Sequence, residues 1–240
     1  MTEKKKPGGK VPKGSKTTTI RNGSERVRRD PERTRARILE AARVEFARRD
    51  LSGARVDQIT ARAGSNKRMI YYYFGNKEAL FLAALESAYE QIRKAEQSLK
   101  FTDLDPAEGM RRLMRFTWEY YLAHPEFITL LNSENLHRAR LLKKSKAIQA
   151  MHSPLVAMLE DLLTRGQRAG VFRDGVDPVQ LYISVAALGY FYLSNNYTLS
   201  TIFGRDLMQA TALKKRLVHM TELVLGYLSK QRSVTKRRKA

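Results

Sequence analysis

The chain has 240 residues, of which 42% are hydrophobic, and it contains no cysteine. A chain of this length can bury a substantial core, and two domains are expected. The absence of cysteine excludes disulfide bonds and thiolate-bound zinc. The N-terminus has no apolar segment after its lysines, and no apolar run reaches the roughly 20 residues that cross a bilayer. We therefore expect a cytoplasmic protein with no membrane partner.

Much of the net charge of +21 lies at the two ends of the chain. Residues 1–29 hold ten Lys/Arg against two Glu, and residues 230–240 hold six Lys/Arg and no acid. Their low apolar content predicts a disordered basic N-terminal arm and a basic C-terminal tail. Such ends either stay solvated and aid solubility or bind the phosphate backbone of a nucleic acid.

The first folded helix is predicted to begin at Asp30. Asp30 is a suitable N-cap, Pro31 fits the first helical position, and Glu32 complements the positive end of the helix. One face is apolar as far as a break at 50–53, through Ile38, Ala41, Ala42 and Phe46. Arg33 and Arg37 on the early turns either form a solvated face or contact DNA.

The stretch from Val56 to Leu80 predicts two short helices joined by a turn and followed by a third. Apolar residues recur at helical spacing, glycines end the two short helices, and asparagines cap the second and third. The apolar positions are Val56, Ile59, Ala63, Ile70 and Phe74, the glycines are Gly64 and Gly75, and the caps are Asn66 and Asn76. This is the pattern of a helix-turn-helix, which places its second helix in the major groove of double-stranded DNA.

The DNA contacts follow from positions on that second helix. Its first turn should meet base edges, and the phenols of Tyr71 and Tyr73 should reach phosphates, whereas Tyr72 is assigned to the core. Lys77 begins the next helix beside free amides that suit a phosphate. The predicted DNA-binding residues are Arg55, Asn66, Lys67, Arg68, Met69, Tyr71, Tyr73 and Lys77. The alternative for Lys67 and Arg68 is a solvated face.

Residues 35–80 resemble the DNA-binding domain of the TetR family of bacterial transcription regulators. Thr60 and Ser65 depart from the family pattern, which generally has alanine and valine there. The resemblance implies a homodimer that binds a palindromic operator, and a helical second domain that often holds a small-molecule effector. It rests on Ile38, Ala41, Ala42, Phe46, Ile59, Ala63, Gly64, Asn66, Tyr71, Tyr73, Phe74, Lys77, Glu78 and Leu80.

We therefore predict an all-α fold. Residues 1–29 are the basic arm, 30–76 the three-helix DNA-binding domain, 77–229 the helical ligand-binding and dimerisation domain, and 230–240 the basic tail. Within the second domain, helices are expected from Asp105–Pro106, over about 153–169, and from Asp177 through Tyr197.

The second domain offers candidates for an effector pocket and for a dimer interface. The tentative pocket residues are Trp118, Tyr121, Phe127, Met151, His152, Met158, Tyr182 and Asn195. Plain core packing is the alternative for each of them. A narrow apolar seam on the last helix predicts the dimer contact, with Leu213, Leu217, Met220, Val224 and Tyr227 spaced four, three, four and three residues apart. Packing on the protein's own core would explain much of the same spacing.

Enzymatic functions have little support. The four histidines are scattered without a metal-binding spacing, and neither a phosphate-binding glycine loop nor a nucleophile elbow is present. We predict no metal, no cofactor and no catalytic residue. The favoured function is a dimeric, sequence-specific transcriptional repressor released from its operator by a small molecule. The alternative is a basic DNA-organising protein with weak sequence specificity.

If the N-terminal arm grips phosphates, its removal has a measurable consequence. Deleting residues 1–25 should reduce the slope of log affinity against log salt concentration, since fewer counterions are released on binding. DNA titrations of the full and shortened chains at several salt concentrations give both slopes. Equal slopes would leave the arm with a solubilising role only.

Overall fold

The computed structural model of the protein describes residues 30–99, 101 and 103–230, so the arm and almost all of the tail lie outside the described part. Apart from a short 3₁₀ turn at Leu142–Lys144 and one isolated bridge, the regular structure described is α-helical, which confirms the predicted fold class. The helices are α1 Pro31–Gly53, α2 Val56–Ala63, α3 Lys67–Phe74, α4 Lys77–Gln97, α5 Pro106–Ala123, α6 Pro125–Leu136, α7 Lys146–Arg168, α8 Pro178–Ser194, α9 Asn196–Phe203 and α10 Ala210–Leu228.

Local signals set most helix starts. Asn66 Oδ1 accepts the Met69 amide at 3.0 Å, and Asn76 Oδ1 accepts the Ala79 amide at 2.8 Å, so both predicted caps are confirmed. Asp105 and Asp177 likewise cap α5 and α8, each followed by proline. The predicted break at the end of α1 is also present, where Asp50 takes a positive φ of 55°.

Two predicted helix limits are wrong. α7 begins at Lys146 rather than near residue 153, because Ser145 Oγ accepts the Ile148 amide and the helix runs on through Pro154. A proline inside a helix removes one backbone hydrogen bond, so the sequence signal favoured a later start. α8 ends at Ser194 rather than Tyr197, and α9 follows as a separate helix with no buried residue.

α1 joins the helix-turn-helix to the rest of the chain. It packs against α2, α4 and α6, with the Phe46 ring edge-on to Phe81 of α4 at 5.1 Å. Arg43 Nη2 of α1 also lies 3.6 Å from Glu126 Oε1 of α6. Farther along the chain, α5 packs against α6, α7, α8 and α10. Since α1 contacts helices on both sides of residue 76, the division into 30–76 and 77–229 stays a prediction.

One glycine of α7 allows a close approach between two segments. A Cβ at Gly166 would lie 2.0 Å from Cδ2 of Phe172, whose ring is buried. Gly166→Ala should therefore destabilise the protein by about 1–3 kcal/mol through overpacking. Thermal unfolding measures the loss, and Gly226→Ala is the matched control because a Cβ there meets nothing within 4 Å. Equal stability of the two variants would contradict the close packing.

Candidate nucleic-acid interface

α2 and α3 form the predicted helix-turn-helix. Gly64 joins them with a φ of 56°, a left-handed conformation that glycine adopts without a Cβ clash. Ile59 and Ile70 are completely buried between the helices and the core. This packing leaves the opposite side of α3 exposed, and that side carries Lys67, Arg68 and two tyrosines.

The first turn of α3 presents two cations. Lys67 Nζ lies 2.8 Å from Asp57 Oδ1 of α2, and the hydrogen bond to this carboxylate raises the pKa of the lysine. Arg68 is exposed beside it. Met69, predicted to meet a base edge, is half-buried and packs against the core, and the Asn66 side chain is engaged as the cap of α3. Of the residues predicted to meet base edges, Lys67 and Arg68 are therefore the exposed ones, and Lys67 is paired with Asp57.

The three tyrosines do not divide as predicted. Tyr72 is 77% exposed, so its assignment to the core is wrong. Tyr72 follows Ile70 by two residues, which turns it by roughly 200° from the buried face that Ile70 and Phe74 occupy. Tyr71 is exposed, whereas Tyr73 is half-buried with its ring edge-on to both Tyr72 and Phe74. Counting from Ile70 would have identified Tyr72 as a candidate DNA contact.

Lys77 has an additional structural role. Its Nζ donates hydrogen bonds to the carbonyl oxygens of Ser52, at 3.2 Å, and Ala54, at 3.1 Å. These bonds tie the start of α4 to the turn between α1 and α2. The phosphate contact predicted for Lys77 therefore competes with bonds that hold the domain together.

Arg55 belongs to an arginine cleft that the sequence pattern does not predict. The backbone amide of Arg55 donates to Glu45 Oε1 at 3.2 Å, which draws the end of α1 against the start of α2. The cleft has a volume of about 380 Å³ and is lined by Glu45, Arg48, Arg49, Gly53, Arg55, Gln58 and Arg62. Four arginines against one acid give it a positive potential suited to phosphate.

The start of α4 also contacts the segment between α6 and α7. Arg140 donates two hydrogen bonds to the carboxylate of Glu78, at 2.8 and 3.2 Å. Ser145 Oγ donates to Glu86 Oε1 at 2.6 Å, and Glu86 lies about two helical turns beyond Glu78 on α4. α4, the helix that follows α3, is therefore bonded at two points to the segment between α6 and α7.

The predicted pocket residues are partly brought together. Rings of Tyr89, Phe127, His152 and Tyr182 form a chain of contacts with centroids 5.3 to 6.2 Å apart, and Tyr121 stacks on Phe127. Met151 and Met158 are half-buried on α7. Two other predicted pocket residues have different neighbours. Trp118 is buried against Tyr192, and Asn195 donates to the Phe191 carbonyl and to Ser194 Oγ at the end of α8.

The predicted dimer seam is wrong at Met220, which is buried in the protomer's own core. Val224 is also buried but borders the groove described below, and Leu213 and Leu217 are half-buried against the core. Only Tyr227 of the predicted seam is exposed. The exposed apolar face is rotated from that seam and forms a groove of about 450 Å³ between α8 and α10, which we call the α8–α10 face. It is lined by Leu181, Ser184, Ala187, Leu188, Phe191, Arg216, Leu223, Val224 and Tyr227.

The residues that the structure describes contain no group of three or more His, Asp or Glu side chains that could hold a metal ion. None of their helices combines the length and apolar character needed to cross a membrane.

Together, α2, α3 and the exposed cationic turn define a helix-turn-helix DNA-binding protein. Residues 38–84 match the family model described as bacterial regulatory proteins, tetR family, and residues 106–224 match the tetracyclin repressor-like C-terminal domain. The chain belongs to the TetR family, whose members are DNA-binding transcription regulators rather than enzymes.

Similar proteins span most of the chain. It is 41% identical over 194 residues to the HTH-type transcriptional repressor NicS of Pseudomonas putida, covering 81% of this chain and 92% of NicS. It is 38% identical to the HTH-type transcriptional repressor SCO4008 of Streptomyces coelicolor, covering 66% and 78%. The crystal structure of the putative transcriptional regulator SCO4942 from the same species aligns with a TM-score of 0.60 at 26% identity, covering 81% and 98%. A regulator from Saccharomonospora viridis in complex with choline has the same fold, with a TM-score of 0.63 at 18% identity, covering 83% and 100%.

Proposed function

We propose that the protein is a homodimeric repressor that binds a palindromic operator and is released by a small-molecule effector. The observation that carries this proposal is the exposed face of α3, where Lys67 and Arg68 lie on the first turn and Tyr71 and Tyr72 lie one turn farther along. Base edges would be read by Arg68, and phosphates would be held by the phenols and by the arginine cleft. Access to DNA implies action in the bacterial cytoplasm.

The dimer is supported by the α8–α10 face. Half-exposed apolar side chains on both helices, including Ile183, Phe191, Leu223 and Tyr227, form a patch of the kind that marks interaction sites. A two-fold axis through this patch would bring two copies of the same face together. It would also set two α3 helices at a fixed spacing, which is what a palindromic operator requires.

Release by an effector is supported by the path of α4. The helix begins beside the turn that Lys77 holds, contacts the 138–145 segment through Glu78 and Glu86, and reaches the aromatic cluster at Tyr89. A ligand that shifted α4 at Tyr89 would therefore also shift the start of this helix relative to α1 and α3. Two conformations with different ligand and DNA affinities would couple the two sites. The repressor relatives favour repression over activation.

A binding selection from randomised duplex DNA at about physiological salt tests the proposal. Recovery of a palindromic motif with two half-sites roughly one helical turn apart would support it. Recovery of no motif, with binding that collapses as salt rises, would support the DNA-organising alternative instead. That alternative has only the basic charge in its favour.

A further inference from the structure

A charged pair is buried in the middle of the second domain. Arg93 and Glu96 lie one turn apart on α4, and each is only 4% exposed. Arg93 Nη1 lies 2.7 Å from Glu96 Oε2, and Arg93 Nη2 donates to the Tyr182 hydroxyl at 3.1 Å. Removing two charges from water is costly, so such a pair requires well-directed partners for all of its polar atoms.

The partners within the described chain do not satisfy this pair. Arg93 Nε, Arg93 Nη1 and Glu96 Oε2 all lack an aligned hydrogen bond, although the last two atoms are close together. A guanidinium has five N–H donors in a planar fork, and here one of them makes a well-directed side-chain bond. In native proteins, buried polar atoms rarely lack a hydrogen-bond partner from the protein, from water or from a ligand. The unpaired edge of Arg93 is therefore suited to an acceptor from outside the chain.

Flat rings surround this edge. The guanidinium carbon of Arg93 lies 5.5 Å from the centre of the Tyr182 ring, and His152 lies edge-on to both Tyr182 and Tyr89. Phe127 completes the row against Tyr89. These rings come from α4, α6, α7 and α8. His152 and Tyr182 are only partly buried, so a ligand that reaches the pair would enter by displacing these two rings.

We infer that Arg93 binds the carboxylate of a small aromatic acid, and that this acid is the effector. The inference rests on the proposed function and names the ligand class for it. A carboxylate matches the guanidinium fork with two parallel hydrogen bonds, and the flat ring of the acid would pack among Tyr89, Phe127 and Tyr182. A neutral amide would offer one uncharged acceptor in place of two charged oxygens, and a cationic ligand would be repelled by Arg93.

Glu96 makes the binding depend on pH. Burial raises the pKa of this carboxyl to about 7, against the opposing effect of Arg93. Below that pH the neutral Glu96 leaves Arg93 to the ligand, whereas above it the ionised Glu96 competes for Arg93 and repels the incoming carboxylate. Affinity should therefore fall as the pH rises through about 7. The groups that face the pair are Tyr89, Tyr120, Tyr121, His152 and Tyr182, and burial lowers the pKa of His152 and raises those of the tyrosines.

The full chain can be titrated calorimetrically with benzoate, 4-hydroxybenzoate, phenylacetate and 2-naphthoate, each beside its neutral amide. We expect at least one acid to bind and its amide not to bind. Arg93→Gln should weaken that binding about 10–100-fold, because a hydrogen-bonded charge is lost. Arg111→Gln removes an exposed arginine of α5 paired with Glu108 and should leave the affinity unchanged.

Glu96→Gln keeps the inference testable even if Arg93→Gln fails to fold. This variant should bind the same acid at least as tightly as the unaltered protein, with a flat profile between about pH 6 and 8. A purely structural Glu96 would leave the pH profile unchanged. The inference would be overturned if Glu96→Gln kept the pH profile of the unaltered protein, or if no acid bound. It would also be overturned if a folded Arg93→Gln variant bound the acid equally well, or if benzylamine or choline bound instead.

Operator titrations separate this inference from the proposed function. The acid that binds should release the operator from the unaltered protein but not from Arg93→Gln. A protein that holds a palindromic operator and ignores every acid would remain a DNA-binding regulator with a different effector. Failure to recover an operator would instead overturn the proposed function, whatever acids bind.

Discussion

Arg68→Ala is expected to weaken binding to the preferred operator by about 1–3 kcal/mol and to relax the preference at one base pair of each half-site. The guanidinium is exposed on the first turn of α3, beside a Lys67 that is already paired with Asp57. It is therefore the cation of this turn that is best placed to donate two hydrogen bonds to one base, an arrangement typical of guanine recognition. Titrations against operators changed at single positions would measure both effects.

Lys77→Ala is the matched comparison for Arg68→Ala. It removes bonds to the Ser52 and Ala54 carbonyl oxygens and any phosphate contact, so it should weaken binding to all operator variants by a similar factor. The thermal stability of the Lys77→Ala variant should also fall, whereas that of the Arg68→Ala variant should not change. If the two variants respond alike to every operator change, the division between a base reader and a backbone-positioning lysine is wrong.

Replacing both Leu223 and Tyr227 by glutamate should separate the dimer and lower the apparent operator affinity by about 10²–10⁴-fold. Both side chains are about half exposed on the α8–α10 face, so the changes leave the protomer's core intact while placing charge in an apolar interface. A lone protomer binds one half-site and loses the effective concentration that a linked second reading helix provides. Sedimentation velocity gives the oligomeric state, and titrations with full and half operators give the affinities.

Leu136→Glu provides the control for the dimer variant. Leu136 is 78% exposed and lies at the end of α6, outside the α8–α10 face. The Leu136→Glu variant should therefore stay dimeric and bind the full operator normally. A Leu223→Glu, Tyr227→Glu variant that remains dimeric at the same concentration would show that another surface joins the protomers. Loss of dimerisation in both variants would point to a general effect of added charge.

α4 connects the elements that we propose meet DNA with the proposed effector site. Arg68 lies on α3 and the arginine cleft lies between α1 and α2, whereas Arg93 lies on α4 among aromatic rings. α4 carries Lys77, Glu78 and Glu86 between them, each bonded to a neighbouring segment. A ligand-driven shift of α4 would therefore have to alter these bonds. Structures with and without a bound acid would show whether these hydrogen bonds break or change partners.

Local chemistry explains what the sequence determined by itself. The helix-turn-helix was predictable because its signals act within a few residues: Gly64 supplies the left-handed turn, Asn66 and Asn76 cap the helices that follow, and Ile59 and Ile70 mark the buried face. The all-α class followed from helical spacing throughout, and the family from motifs in residues 35–80. None of these inferences required knowledge of which helices meet.

Only the tertiary structure decided which apolar stripe faces the core. Periodicity on α10 selects Met220 for the interface although it is buried in the protomer, because a stripe facing the protein's own core has the same spacing as one facing a partner. Tyr72 is a different case, because a rotation of roughly 200° from Ile70 already places it on the exposed face of α3. The arginine cleft and the Arg93–Glu96 pair depend on contacts between helices or on burial by distant ones. Burial and long-range pairing are properties of the packed helices, and no local pattern encodes them.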